Sequence, residues 1–339
     1  MSTLLSVRNL TVSFTTPDGV VHAVNDVSFD LRPGQTLGIV GESGSGKSVT
    51  ASSIMKLNNS ITAATTGVVE IEGFDILAAD EAHARRVRGR DVAMVFQDPL
   101  SALNPYYTVG AQIAEAYLVH HPEASKEETR EIVLQMLRKV GIPKPEKRID
   151  EYPHQFSGGM RQRIVIAIAL INRPKILIAD EPTTALDVTV QAQILDLMME
   201  LQSETQMAII LITHDLGVVA EVAEDVMVMY GGRVVEKTSV DQLFTVPTHP
   251  YSWGLLGAVG SLDVQERGSL RTIPGTPPSL ISLPSGCAFH PRCESFMGKD
   301  SLCATEVPSL RSIEGASSLT ACHLPSEQIV SIGKGKVLS

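Results

Sequence analysis

The run Gly41-Glu42-Ser43-Gly44-Ser45-Gly46-Lys47-Ser48 constrains this chain more than any other feature of it. Glycines at Gly41, Gly44 and Gly46 let the backbone curl so that successive N–H groups turn inward, and the run fits the spacing G-x-x-x-x-G-K-[ST] in full. A short β-favouring run, Thr36 to Val40, leads into it, and a helix is expected from Ser48. A strand, a curled loop and a helix N-terminus together form an anion cradle, because the loop amides and the positive end of the helix both favour phosphate oxygens. In that cradle Gly41, Ser43, Gly44, Ser45 and Gly46 contact phosphate, Lys47 reaches the β and γ groups, and the Ser48 hydroxyl ligates Mg²⁺. A glycine-rich turn matching by chance would lack the flanking strand and helix. The sequence therefore implies an α/β domain with an ATP-type site.

Two further stretches belong to the same chemistry. Ile176-Leu177-Ile178-Ala179-Asp180-Glu181 is an apolar strand ending in two carboxylates. Asp180 suits Mg²⁺, and Glu181 is placed to take a proton from an attacking water or to orient it. In isolation the pair would read as two surface acids at a strand end. Phe156-Ser157-Gly158-Gly159-Met160 opens a long helix, so Ser157, Gly158 and Gly159 present a hydroxyl and amides to another phosphate group.

The organisation around these motifs is that of an α/β core with an insertion. Val7 to Phe14 and Val20 to Leu31 read as strands separated by the turn signal Pro17-Asp18-Gly19. Residues 108–150 turn charged and helix-friendly, with Ile132, Met136 and Val140 on one expected stripe. A helix runs from Arg163 to about Asn172, ended by Pro174. Strands over Ile176 to Ala179 and Ala208 to Thr213 flank a helix with Val190, Ile194, Leu197 and Leu201 on one face, which implies a parallel crossover. Past residue 260 the segment 274–286 is rich in Pro, Gly and Ser and reads as a connector into a small appendage.

Bulk properties narrow the function classes. A net charge of −10 argues against a broad grip on nucleic acid, which needs a basic surface. The longest apolar run, Ile164 to Ile171, is far short of the roughly 20 residues a bilayer demands. The first residues lack the basic and apolar regions of a secretory signal, so a cytoplasmic location is expected, with membranes reached through partners.

With the order of these motifs in place, residues 5 to 260 resemble the ATP-binding subunits of ABC transporters. The Ser-Gly-Gly centre stands where that family carries Leu-Ser-Gly-Gly-Gln, and this chain departs from it at both ends, with Phe156 and Met160. The resemblance implies the ABC-type nucleotide-binding fold: a RecA-like core, an antiparallel β piece and a helical subdomain over about 98–165, within a domain of residues 1–260, followed by an appendage of residues 261–339. It implies that Gln97 is the glutamine sensing Mg²⁺ and water, that Asp187 in Ala185-Leu186-Asp187 lies on the loop crossing between two subunits, and that His214 contacts the γ-phosphate. Phe14 takes the place of the aromatic that stacks on adenine, and a core phenylalanine is the equal alternative. Two such domains meet head to tail with ATP between one phosphate loop and the other's Ser-Gly-Gly segment.

Asp98-Pro99-Leu100-Ser101-Ala102-Leu103-Asn104-Pro105, Tyr152-Pro153-His154-Gln155 and the tail Gly286-Cys287-Ala288-Phe289-His290-Pro291-Arg292-Cys293 resemble the oligopeptide and dipeptide importers within that family. That branch implies a second, different ATPase subunit, two membrane-spanning permease subunits, a peptide-binding protein, no nucleic acid, and a peripheral place on the cytoplasmic face of the membrane. Residues 98–107 sit where the family docks its permease, so Tyr106 and Tyr107 either contribute to docking or simply pack. Nickel or glycoside importers share these motifs, and a soluble ABC ATPase for translation, cluster assembly or DNA repair is the rival of another class. Cys287, Cys293, Cys303 and Cys322 are the only cysteines, spaced without paired C-x-x-C knuckles. Four thiolates can hold a [4Fe–4S] cluster, the reading the peptide branch favours; structural zinc and free thiols stay open beside it.

Overall fold

A computed structural model describes residues 3–184, 186–260 and 273–337, which divide into two compact units. The first comprises residues 1–4, 31–35 and 78–211; the second comprises residues 5–30, 36–77 and 212–339.

The first unit is built on strands Val92–Val95 and Ile176–Asp180, which run parallel with Val95 opposite Ala179, and on Ala208–Ile212 alongside. All residues of these strands are buried, which is why they read as continuous apolar runs rather than alternating ones. Helices Val109–Leu118, Lys126–Lys139, Gly158–Leu170 and Val188–Thr205 pack with them, and each begins on a Thr, Ser or Asp whose side chain accepts an N–H of the first turn. Lys126–Lys139 also carries Glu127 and Glu128 in its first turn and Arg138 and Lys139 in its last, complementing the helix dipole. Its buried residues are Thr129, Val133, Leu134 and Leu137, so of the expected stripe Val140, at the helix end, is buried, while Ile132 and Met136 fall one position off the buried face. Ile132 and Met136 instead line a cavity of about 810 Å³ with Leu170 and Leu201, which is the physical reason both are apolar. The Ser-Gly-Gly helix starts at Gly158 with Ser157 as its cap, rather than at Arg163.

The second unit contains a four-stranded sheet in the order Gly19–Leu31, Leu5–Thr16, Ala63–Ile71, Phe74–Asp75. The same unit holds strands in the order Arg311–Ser312, Leu319–Thr320, Arg233–Ser239, Asp225–Tyr230, Thr36–Val40. Thr36–Val40 runs parallel to Asp225–Tyr230, and all five of its residues are buried. Leu319–Thr320 pairs antiparallel with Arg233–Ser239 and covers its outer edge. Beside that edge lies Glu236, 0 % exposed, which accepts the Thr248 N–H and hydroxyl at 2.8 Å each and the His249 N–H at 3.0 Å. Burial of a carboxylate at this depth raises its pKa, and the donors hold it in place. No described helix is long and apolar enough to cross a membrane.

Candidate nucleotide site

In the second unit the Thr36–Val40 strand delivers Gly41 at φ +150°, where an added Cβ would stand 2.2 Å from the Met229 carbonyl oxygen. Gly46 has φ +103°, and a Cβ there would meet the Ala23 carbonyl oxygen at 2.4 Å. Both positions require glycine for conformation and for space. Helix Lys47–Ile54 follows without a side-chain cap, so its first-turn amides retain their capacity for an oxyanion. Lys47, 6 % exposed, folds back across the loop, its Nζ donating to the carbonyl oxygens of Gly41 at 2.7 Å and Glu42 at 3.0 Å. Ser43, Gly44 and Ser48 are exposed, while Gly41, Ser45 and Gly46 are buried. Phe14 is half-buried opposite Ala63. His214 is exposed, just before Asp215, which caps helix Leu216–Val222.

In the first unit the parallel register brings two strand ends together. Gln97 lies two residues beyond Val92–Val95, and Glu181 one residue beyond Ile176–Asp180. The Gln97 Nε2 donates to Glu181 Oε2 at 2.9 Å, and the Thr184 hydroxyl donates to the same oxygen at 2.9 Å. Ligand-handling side chains gather at the C-terminal ends of parallel strands for this geometric reason. Glu181 adopts φ +47°, a left-handed conformation costing a non-glycine residue on the order of 1–3 kcal/mol, retained where it aims a functional group. Asp180 closes its strand at 6 % exposure. Its carboxylate is a hard oxygen donor of the kind Mg²⁺ prefers.

Ser157 and Gly158 are exposed, and Ser157 Oγ accepts the Met160 N–H at 3.4 Å. Gly159 lies against Val190, with room for no Cβ: it would fall 2.6 Å from Val190 Cγ1. Asp187 is exposed and caps helix Val188–Thr205 through the Val190 N–H at 3.0 Å. Ala185 lies outside the described residues.

Three partners of this machinery went unassigned in the sequence. Thr184 stands three residues past Glu181, a spacing that a turn returns to its start. Tyr251 accepts the Glu42 N–H at 2.8 Å, and Arg292 pairs with the Glu42 carboxylate at 2.6 and 3.0 Å. These lie 209 and 250 residues from Glu42, and no local signal reveals them.

Cys287, Cys293, Cys303 and Cys322 line one cavity of about 20 Å³, roughly the space of a single water. Burial pushes the Cys287 thiol up, Cys293 to about 12 and Cys322 to about 11, aided by the neighbouring thiols. Among the described residues no group of three or more His, Cys, Asp or Glu side chains is placed to hold a metal ion. The four cysteines therefore bring donors of the right kind for a [4Fe–4S] cluster or zinc to one cavity, without the arrangement of a formed metal site among the described residues.

Residues 24–184 match the family model for ABC transporters, and residues 235–299 match that for the oligopeptide/dipeptide transporter C-terminal region. A dipeptide transport ATP-binding protein of Bacillus subtilis, DppD, is 55% identical over 298 residues, covering 88% of this chain and 88% of its own length. The chain belongs to the ABC transporter ATP-binding family. The oligopeptide transport ATP-binding protein OppD of Escherichia coli is 50% identical over 330 residues, 96% of this chain and 95% of its own. Among solved structures, an ATP-binding cassette captured as a dimer in a post-hydrolysis state with ADP and Pi superposes with a TM-score of 0.63 at 28% identity, covering 70% of this chain and 98% of that one. The ABC cassette fold expected from the motifs is thus the fold observed, and as a member of this family the chain is an ATPase.

Proposed function

We propose that this ABC ATPase powers import of oligopeptides or dipeptides, working beneath two permease subunits that receive peptide from a binding protein. The observation that carries the peptide assignment is the match of residues 235–299 to the C-terminal region of oligopeptide/dipeptide transporters. That segment lies outside the nucleotide motifs, which importers of nickel or glycosides share. The naming of relatives at 50–55% identity as dipeptide and oligopeptide transport proteins supports the same reading.

The proposed division is a nucleotide-binding domain of residues 1–260, with its helical subdomain at about 98–165, and an appendage of residues 261–339. ATP phosphates sit on the amides of Gly41, Ser43, Gly44, Ser45 and Gly46, with Lys47 turned onto the β and γ groups and Phe14 against adenine. Mg²⁺, held by Ser48, Gln97 and Asp180, would neutralise charge on the phosphates. Glu181 takes a proton from the attacking water, and His214 contacts the γ-phosphate. Ser157, Gly158, Gly159 and Asp187 face the nucleotide of a second, homologous cassette in a head-to-tail pair. The exposure of Tyr106 and Tyr107, at 86% and 59%, suits docking of a permease on the cytoplasmic face of the membrane.

Uptake of labelled di-, tri- and pentapeptides, in cells lacking the gene and complemented with wild type or Lys47→Ala, tests the assignment. Restoration by wild type alone supports it, and the preferred length defines the cargo. Membrane association without peptide uptake moves the cargo to metals or glycosides, and absence from the membrane fraction favours a soluble ABC ATPase.

We also propose that the four-thiol pocket takes up a [4Fe–4S] cluster. Convergence of four cysteines on one cavity supports this reading, since four thiolates are the ligand set such a cluster takes. Iron and acid-labile sulfide in anaerobically purified protein would bear it out. Stoichiometric zinc, or thiols that titrate freely in unfolded protein without either metal, would remove it.

A further inference from the structure

Glu42, the second residue of the phosphate loop, is held from three directions. Its N–H donates to the Tyr251 hydroxyl at 2.8 Å, and its carbonyl oxygen accepts Lys47 Nζ at 3.0 Å. Its carboxylate receives both terminal nitrogens of Arg292, at 2.6 and 3.0 Å. A guanidinium meeting a carboxylate fork to fork fixes direction as well as distance. The Arg292 side chain is 6% exposed and that of Glu42 26%, so solvent loosens the pair little. The rest of the guanidinium is also engaged. Arg292 Nε donates to the Pro274 carbonyl oxygen at 2.8 Å, and Nη1 approaches the Tyr230 hydroxyl at 3.3 Å. Apolar side chains would fill such a buried place at no greater cost in stability. What they would not supply is a fixed orientation for Glu42.

That orientation bears on ATP. Lys47 is bonded to the Gly41 and Glu42 carbonyl oxygens and must leave them to reach phosphate. A Glu42 free to follow the lysine would let the loop close into the space the phosphates enter. An anchored Glu42 keeps the loop curled, so less ordering is left for the nucleotide to impose.

We infer that Arg292, through its bidentate grip on Glu42, is a positioning residue of the phosphate loop, and that ATP affinity depends on the cysteine-bearing segment that carries it. The inference rests on the ATPase reading of Gly41 to Ser48. Arg292 closes the short turn His290–Arg292, and the next residue, Cys293, belongs to the four-thiol pocket. One turn therefore ends on the phosphate loop and on the thiols.

The test uses the full chain with Arg292→Ala, Arg292→Lys, Glu42→Gln and the double variant Arg292→Ala/Glu42→Gln. Equilibrium binding of a fluorescent ATP analogue gives Kd, and hydrolysis in the assembled transporter gives KM and kcat. Arg292→Ala should raise Kd and KM roughly tenfold, the weight of a hydrogen bond between charged groups, with kcat at saturating ATP within about twofold of wild type. Arg292→Lys should recover part of the affinity. In the double variant the two losses should not add, because both remove one contact. A fall in kcat at unchanged KM, wild-type affinity in Arg292→Ala, or additive losses would overturn the inference. Should Arg292→Ala fail to fold by circular dichroism, unchanged affinity in Glu42→Gln, which preserves side-chain size, overturns it equally. A wild-type chain that binds no ATP would defeat the ATPase reading and this inference with it, whereas a tight-binding wild type with an indifferent Arg292→Ala defeats the clamp alone.

Discussion

Replacing Glu181 by Gln removes the proposed base while disturbing little else. The carboxylate uses one oxygen, Oε2, for both the Gln97 amide and the Thr184 hydroxyl at 2.9 Å each. A glutamine has one carbonyl oxygen with two lone pairs, so it can keep both donors, and its volume is the same. The stability change should therefore stay within about 1 kcal/mol. The backbone at φ +47° is equally tolerable to either residue. The loss falls on chemistry, because an amide cannot take the proton of the attacking water. General-base catalysis contributes typically 10²- to 10⁴-fold, which is about 3–5 kcal/mol of barrier at roughly 1.4 kcal/mol per decade. Phosphate release should slow by that factor in a continuous assay, while equilibrium ATP binding stays within about threefold and a closed cassette dimer accumulates by size-exclusion chromatography. Turnover within about fivefold of wild type would remove Glu181 as the base, a magnitude too small for the loss of a proton acceptor. Loss of ATP binding would show instead that the Gln97–Glu181–Thr184 contact shapes the pocket rather than the reaction.

Gly46→Ala should lose ATP binding while the chain stays folded, since its Cβ would fall 2.4 Å from the Ala23 carbonyl oxygen; Gly44→Ala, with nothing within 4 Å, should bind more than tenfold better than Gly46→Ala in the same titration, roughly the difference between strain and overlap. Gly159→Ala should destabilise by about 1–3 kcal/mol in a denaturant melt, because Val190 stands in the way at 2.6 Å, and retention of full stability would show that the two helices yield. His249, buried and accepting the Tyr251 N–H at 3.0 Å, is pushed down by burial to about 3. Its folded pKa lies below the unfolded one, so between about pH 6.5 and 3 the unfolded chain binds a proton that the fold refuses. Stability is full above that window and falls on acidification through it, by roughly 1.4 kcal/mol per pH unit from this group. The nearby Glu236, raised by burial, acts oppositely as pH rises, so thermal melts from pH 7 to 4.5 should be compared between wild type and His249→Asn. The acid-side slope should flatten in the variant, and an unchanged slope would refute the assignment to His249.

Legibility in the sequence followed the range of the interactions. Gly41 to Ser48 and Ile176 to Glu181 were legible because chemistry and backbone geometry there reside in consecutive residues. The fully buried strands could be read as apolar runs for the same reason. Helix Lys126–Lys139 was legible as a helix and Val140 as buried, but Ile132 and Met136 fell one position off its buried face, because they are apolar for a cavity and not for the core. Glu181 could be named as a base, yet its bond to Gln97, 84 residues away in sequence, depends on the parallel register of two strands and on a positive φ that no residue type announces. The cysteines were legible as a set; their burial around one small cavity was not, since spacing reports neither depth nor cavity size.

The short Leu319–Thr320 strand seals the free side of Arg233–Ser239. A chain cut at residue 260 to isolate the motor would leave a row of unsatisfied amides and carbonyls along that strand, next to a buried carboxylate whose Thr320 neighbour has gone. Such a fragment would keep every nucleotide motif and still be prone to pair with another copy of itself, strand to strand. For expression or crystallisation the safer truncation is therefore none at all.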